Sequence, residues 1–190
     1  MSGGPSFDRL RTRVQHVAEV EGRSDIRLRP ATPEDRVRRW LSDPQVQSWC
    51  GTAASAEAEI TLALASAAAM PRIIERDGAA IGYAHAVEAG LRAAEPPKGV
   101  PAGAWDVDYF VAPAAIDTGE IGSTVLALLT EEVFANTLAV ACSGLVSIRN
   151  EAAVRAYERA GFRWLQVLQD PLLGPSWLML KERPGPPQAR

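Results

Sequence analysis

Apolar residues recur with two different spacings along this chain, and the switches between them mark out its elements. Residues 25–30 (D-I-R-L-R-P) alternate as a first strand does. Thr32-Pro33-Glu34-Asp35 then starts a helix: a hydroxyl cap, proline at the first position, acids in the first turn. That helix is expected over 33–41, ending near Ser42-Asp43-Pro44, with a tryptophan-bearing loop at 46–51 and a second helix over 55–69. Residues 72–76 and 79–87 read as two strands joined by Asp77-Gly78, a tight-hairpin pair. Between 88 and 103 the composition shifts to Gly, Pro, Ala and Glu, an exposed insertion loop within the domain. Residues 105–111 (W-D-V-D-Y-F-V) alternate acid and apolar, 121–135 are apolar at helical spacing, and 138–148 form another strand. Strands at 162–168 and 176–180 close the pattern, with a Pro-rich tail from Arg183. Ahead of it all, Phe7, Leu10, Val14 and Val17 fit a short amphipathic helix, although 14–20 reads equally as a strand.

The order β-α-α-β-β-β-α-β-α-β-β lacks strict βαβ regularity. It predicts a single α/β (α+β) domain: a twisted, mixed but mostly antiparallel sheet of about six or seven strands with helices on both faces. The domain spans 25–183, after an N-terminal extension (1–24) and before a flexible tail (184–190).

Composition narrows the function classes. The chain of 190 residues is 47% hydrophobic and 23% charged, ordinary values for a soluble domain with a proper core. A net charge of -3 does not favour a nucleic acid or an anionic membrane as partner. No apolar run approaches the ~20 residues of a membrane span, and no signal-peptide core opens the chain, so a cytoplasmic protein is expected. Cys50 and Cys142 are too few for a disulfide framework, and His16 and His85 are isolated, so no metal site is expected.

The most specific stretch is 150–162, N-E-A-A-V-R-A-Y-E-R-A-G-F. Asn150 is a good N-cap, Ala153, Val154, Tyr157 and Ala160 make an inward face, and Gly161 suits a left-handed helix end. The string resembles the last motif of the GNAT superfamily of acetyl-CoA-dependent N-acetyltransferases, N-x-x-A-x-x-x-Y-x-x-x-G-F. The segment Val107-Asp108-Tyr109-Phe110-Val111 resembles the acid-bearing strand of bacterial aminoglycoside 6'-N-acetyltransferases and their siderophore-acylating relatives.

The resemblance implies acetyl-CoA as acyl donor and the primary amine of a small cationic molecule as acceptor, aminoglycoside-like or siderophore- or polyamine-like. It implies Asp108 as the acid that holds the amine and acts as its base, and Tyr157 as proton donor to the departing thiolate. The donor would be held by Phe110, Val111, Gly119, Ile121, Gly122, Ser123, Asn150 and Tyr157, and the acceptor by Trp49, Trp105, Asp106 and Asp108. Asp106 and Asp108 point to one face of their strand, with Asp106 expected nearer the open end; as a bare pair they also suit a solvated face. The chain is expected to be a monomer or homodimer.

One segment departs from the family. Members carry Arg/Gln-x-x-Gly-x-Gly/Ala where backbone N–H groups at a helix N-terminus cradle a pyrophosphate. Here the stretch is Asp117-Thr118-Gly119-Glu120-Ile121-Gly122. From 99 to 148 there are six acids and no Lys or Arg. A carboxylate about 6 Å from a phosphate, at an effective dielectric of 20, costs on the order of 3 kcal/mol. Arg149, Arg155 and Arg159 are the nearest basic residues. A second reading therefore stands beside the enzyme: a GNAT-fold binding or regulatory protein with a degenerate phosphate loop.

Overall fold

The computed structural model describes residues 25–91, 96–115 and 120–185. The expected element at 7–21, the extension 1–24, and Asp117 and Gly119 lie outside the described residues. The strands are β1 (Ile26–Pro30), β2 (Ala69–Arg76), β3 (Ala79–Glu88), β4 (Trp105–Val111), β5 (Ala141–Ser147), β6 (Arg163–Asp170) and β7 (Gly174–Glu182). The helices are α1 (Arg38–Leu41), α2 (Pro44–Cys50), α3 (Ala53–Ala65), α4 (Glu120–Asn136) and α5 (Glu151–Arg159). All seven strands lie in one sheet, in the order β1-β2-β3-β4-β5-β7-β6, and every neighbouring pair is antiparallel except β4–β5. This is the mixed, mostly antiparallel sheet the pattern predicts.

Apolar stripes place the helices. Val125, Leu126, Leu129 and Val133 of α4 and Val154, Ala156 and Tyr157 of α5 cover one face, against Ile74, Ala84, Val107, Cys142 and Met179. The opposite face receives Trp40 and Leu41 of α1, Val46 of α2 and Ala56 and Ile60 of α3, packed on Ile73 and Tyr83. The hairpin turn is as expected, with Asp77 at φ 52° and Gly78 at φ 80°.

Two local expectations are corrected. The helix over 33–41 is broken into a 3-10 turn, Pro33–Asp35, and the short α1, with Arg36 between them at φ 51°. Asp35 turns back to accept from the Thr32 backbone N–H (2.7 Å) and from Arg29, whose guanidinium holds its carboxyl at a pKa of about 2. The 46–51 loop is instead the end of helix α2. Asp43 caps it, accepting from Gln45 N–H at 2.8 Å, and Pro44 takes the first position. The residues that read as one helix's stop are the next helix's start.

Candidate active site

The site begins with a strand pair that barely pairs. β4 and β5 run parallel but meet at two positions only, Trp105 with Cys142 and Asp106 with Ser143. Beyond them, residues 107–111 of β4 have no partner on β5, and the sheet splits. The inner edges of the split are rows of main-chain N–H and C=O groups, which need partners wherever they are shielded from water. A cavity of about 440 Å³ occupies the split. It is lined by Tyr157 and Val146, by Ile121, Gly122, Asn150 and Ala153, and by Trp49, Cys50, Asp108 and Leu173.

Local chemistry explains how Tyr157 comes to line the cavity. Helix α5 opens with Asn150, whose Oδ1 accepts from Ala153 N–H at 3.1 Å. It closes with Gly161 at φ 90°, Phe162 N–H donating to Tyr157 C=O (3.0 Å) and Gly161 N–H to Glu158 C=O (2.9 Å). This is a Schellman motif, and its usual hydrophobic contact is Phe162 packed edge-on to the Tyr157 ring at 4.9 Å. The Tyr-x-x-x-Gly-Phe spacing is thus a helix-ending device that also fixes where the tyrosine points. Tyr157 is 1% exposed and donates its hydroxyl to Val107 C=O at 2.7 Å, at the base of the split. Its ring lies where Gly144 lacks a side chain, since a Cβ there would stand 2.3 Å from the ring. Gly144→Ala should therefore destabilise the fold by about 1–3 kcal/mol, read as a shift in the denaturant midpoint. An unshifted midpoint means that the ring does not rest on Gly144.

The candidate residues fall into three groups. Asp108, Trp49, Phe110, Val111, Ile121, Gly122, Asn150 and Tyr157 all line the one cavity. Asp106, Trp105 and Ser123 do not. Trp105 is buried in the core beneath α4, because strand alternation turns it to the face opposite the acids. Asp106 sits at the closed end of the split, not the open end, because the parallel pairing falls on it. Ser143 Oγ stands 3.4 Å from its Oδ1. Ser123 turns its hydroxyl back to Glu120 C=O at 3.0 Å. Gly119 lies outside the described residues. Gly122 has a packing reason of its own: a Cβ would stand 2.2 Å from the Tyr109 hydroxyl. Phe110 packs its ring edge-on to Trp40 at 6.3 Å, so what it offers the split is backbone.

Sequence reasoning did not single out Gln45, Cys50, Ser147 or Leu173, which also line the cavity. Leu173 belongs to the β6–β7 turn, and nothing local in the sequence marks it. Of the three basic candidates, Arg149 lines the cavity, Arg155 pairs with Glu151 at 3.2 Å, and Arg159 is exposed at the end of α5. Around Cys50 the field is negative. Burial, then the charges of Asp108 and Glu59, push the Cys50 thiol far above its ordinary pKa, so it stays protonated and is no nucleophile. Among the described residues no cluster of three His, Cys, Asp or Glu could hold a metal, and no helix is long and apolar enough to cross a membrane.

A family model described as an acetyltransferase (GNAT) domain matches residues 30–169. The chain belongs to the GNAT acetyltransferase family. No curated protein sequence matches it, but many solved structures do. The aminoglycoside acetyltransferase AAC(6')-Ib, solved with coenzyme A and kanamycin, is 26% identical, with a TM-score of 0.70 over 84% of this chain and 95% of that one. The same enzyme solved with paromomycin and acetyl-CoA gives 25% and 0.70, over 84% of this chain and 94% of that one. Spermidine N-acetyltransferase from Vibrio cholerae, solved with CoA and spermine, is 14% identical, with a TM-score of 0.64 over 83% of this chain and 95% of that one, a likeness of fold. Acetyl-CoA, the family's acyl donor, fits the split. An extended arm carrying amide groups can lie along β4 where residues 107–111 have no strand partner on β5, and Arg149 supplies a positive charge in the lining.

Proposed function

We propose that this protein transfers the acetyl group of acetyl-CoA to the primary amine of a small cationic acceptor, and that Asp108 receives the amine. The observation that carries the reading is the position of Asp108. It lines the same cavity as Trp49, on the strand that parts from β5 beyond Asp106. A carboxylate there attracts an ammonium out of water, and the Trp49 face adds a cation–π surface. Asp108 Oδ1 is held by Tyr109 N–H at 2.8 Å, which sets the direction of the carboxylate.

Acetyl-CoA supplies the activated thioester when bound. The chain's own part is to orient and to move protons. Main-chain groups of β4 align the arm; Asp108 holds the ammonium and accepts its proton as the amine attacks. Tyr157 is the donor for the departing thiolate. Kanamycin in the AAC(6')-Ib complex supports a polycationic acceptor, and the acid-rich stretch from 99 to 148 supports it by charge. The assembly is a monomer or homodimer, in the cytoplasm.

The test is thiol release with an amine panel: kanamycin, spermidine and a hydroxylysine-type siderophore precursor, each with calorimetry of acetyl-CoA alone. Turnover with at least one cationic amine is expected. No heat of acetyl-CoA binding would favour the second reading, a binding or regulatory protein, for which the acidic loop speaks. Glu120, the first residue of α4, suits the helix dipole but repels a phosphate placed there. Replacing Glu120 with Gly and Asp117 with Arg should tighten acetyl-CoA roughly tenfold or more. Unchanged affinity would mean that the phosphates do not sit at this helix end.

A further inference from the structure

Asp108 by itself is a poor base for an ammonium, since an ordinary aspartate titrates near 4 and a primary amine near 10. The adjoining strand adds a group better matched to neutral pH. In the antiparallel β3–β4 pairing His85 stands directly opposite Asp108, and Asp106 lies one step along the diagonal, opposite Val87. Directly opposed residues share a sheet face with Cβ atoms about 4.5–5.5 Å apart. His85 and Asp108 are therefore cross-strand neighbours on one sheet face. His85 is 5% exposed and packs beside the Tyr83 ring, at 5.6 Å between centroids.

The surroundings leave the imidazole among acids. Asp108 and Asp106 face it from β4, and Tyr83 shares its own strand face. Its cross-strand neighbour on β2 is Pro71, which carries no charge. The helices packed over this face bring Glu59 from α3 and Cys50 from α2, the thiol already under the influence of Asp108 and Glu59. Of these groups only the imidazole can become a cation. A buried imidazole in such company orients the carboxylate beside it, and its charge decides how much of the carboxylate's charge is left over.

We propose that His85 is the positioning residue of the acceptor-binding acid: from β3 it fixes the Asp108 carboxylate, and its protonation state sets the negative charge that Asp108 presents to the amine. With His85 neutral, Asp108 faces the acceptor as a full anion. With His85 protonated, the imidazolium competes with the acceptor ammonium for the same carboxylate. The acceptor KM falls as pH rises through the imidazole range, while acetyl-CoA binding is indifferent to it. This rests on the reading of Asp108 given above, and the experiment separates the two.

Kinetics and titration read the proposal independently. In the wild-type protein the KM for kanamycin, or for whichever amine of the panel turns over, should fall between about pH 5.5 and 7.5. His85→Gln keeps an amide donor but cannot titrate, and should flatten that dependence. His85→Leu removes the donor too and should raise the amine KM about fivefold or more, with the acetyl-CoA KM changed less than about twofold. A His85→Gln profile that follows the wild type overturns the proposal. The second arm needs no turnover. The chain has two histidines, so His16→Ala leaves a single imidazole to follow by NMR. Adding Asp108→Asn should lower its titration midpoint by about half a unit or more. An unmoved midpoint overturns the pairing whatever the enzyme does. A moved midpoint without any amine turnover upholds the pairing and overturns the acetyl-transfer reading.

Discussion

Asp108→Asn should lower turnover of a cationic amine roughly tenfold or more, through the loss of a charge-assisted hydrogen bond worth about 1.5–3 kcal/mol. Loss of the base lowers the rate further. The substitution keeps size and shape, so the cavity wall stays intact, and acetyl-CoA affinity should not change. Asp106→Asn is the control. Asp106 lies at the closed end of the split beside Ser143 Oγ and outside the cavity lining. Its loss should leave the amine KM within about twofold of wild type. Equal behaviour of the two variants would assign the acids to a solvated face and move the site elsewhere.

Tyr157→Phe separates architecture from chemistry. The hydroxyl holds Val107 C=O at 2.7 Å, and its removal should cost about 0.5–1.5 kcal/mol of stability. If the same hydroxyl also protonates the departing thiolate, kcat falls by roughly tenfold or more, a typical loss for a general acid. Acetyl-CoA affinity, measured by calorimetry, should stay close to wild type. A stability loss with kcat intact would leave Tyr157 as a tie between helix and strand and remove it from the reaction.

The legible parts of this chain were those whose chemistry is local. The 150–162 stretch could be read because a cap, an inward face and a Schellman end are all written within one helix and its flanks. Asp77-Gly78 could be read for the same reason. Ser42-Asp43-Pro44 ends a helix as expected, but its second role as the start of α2 was missed, because stop and start signals use the same residues. The split could not be read at all. It depends on where β4 and β5 stop pairing, and these strands come together across the whole of α4. His85 looked isolated for a related reason. Its neighbour on the sheet is reached through the 88–103 loop, so nothing near it in sequence announces Asp108. Trp105 shows the opposite failure: the residue was noticed, but its face follows from alternation against the acids, which sends it into the core.

The two-residue pairing of β4 with β5 gives the sheet the mechanics of a book. Strands β1 to β4 form one leaf and β5, β7 and β6 the other, with Trp105–Cys142 and Asp106–Ser143 as the spine. Across the open part, the Tyr157–Val107 hydrogen bond is a stitch that comes from a helix rather than from the facing strand. An occupant that satisfies both inner edges serves as the missing strand, so loading should slow amide exchange along β4 and β5 together, well beyond the residues it touches.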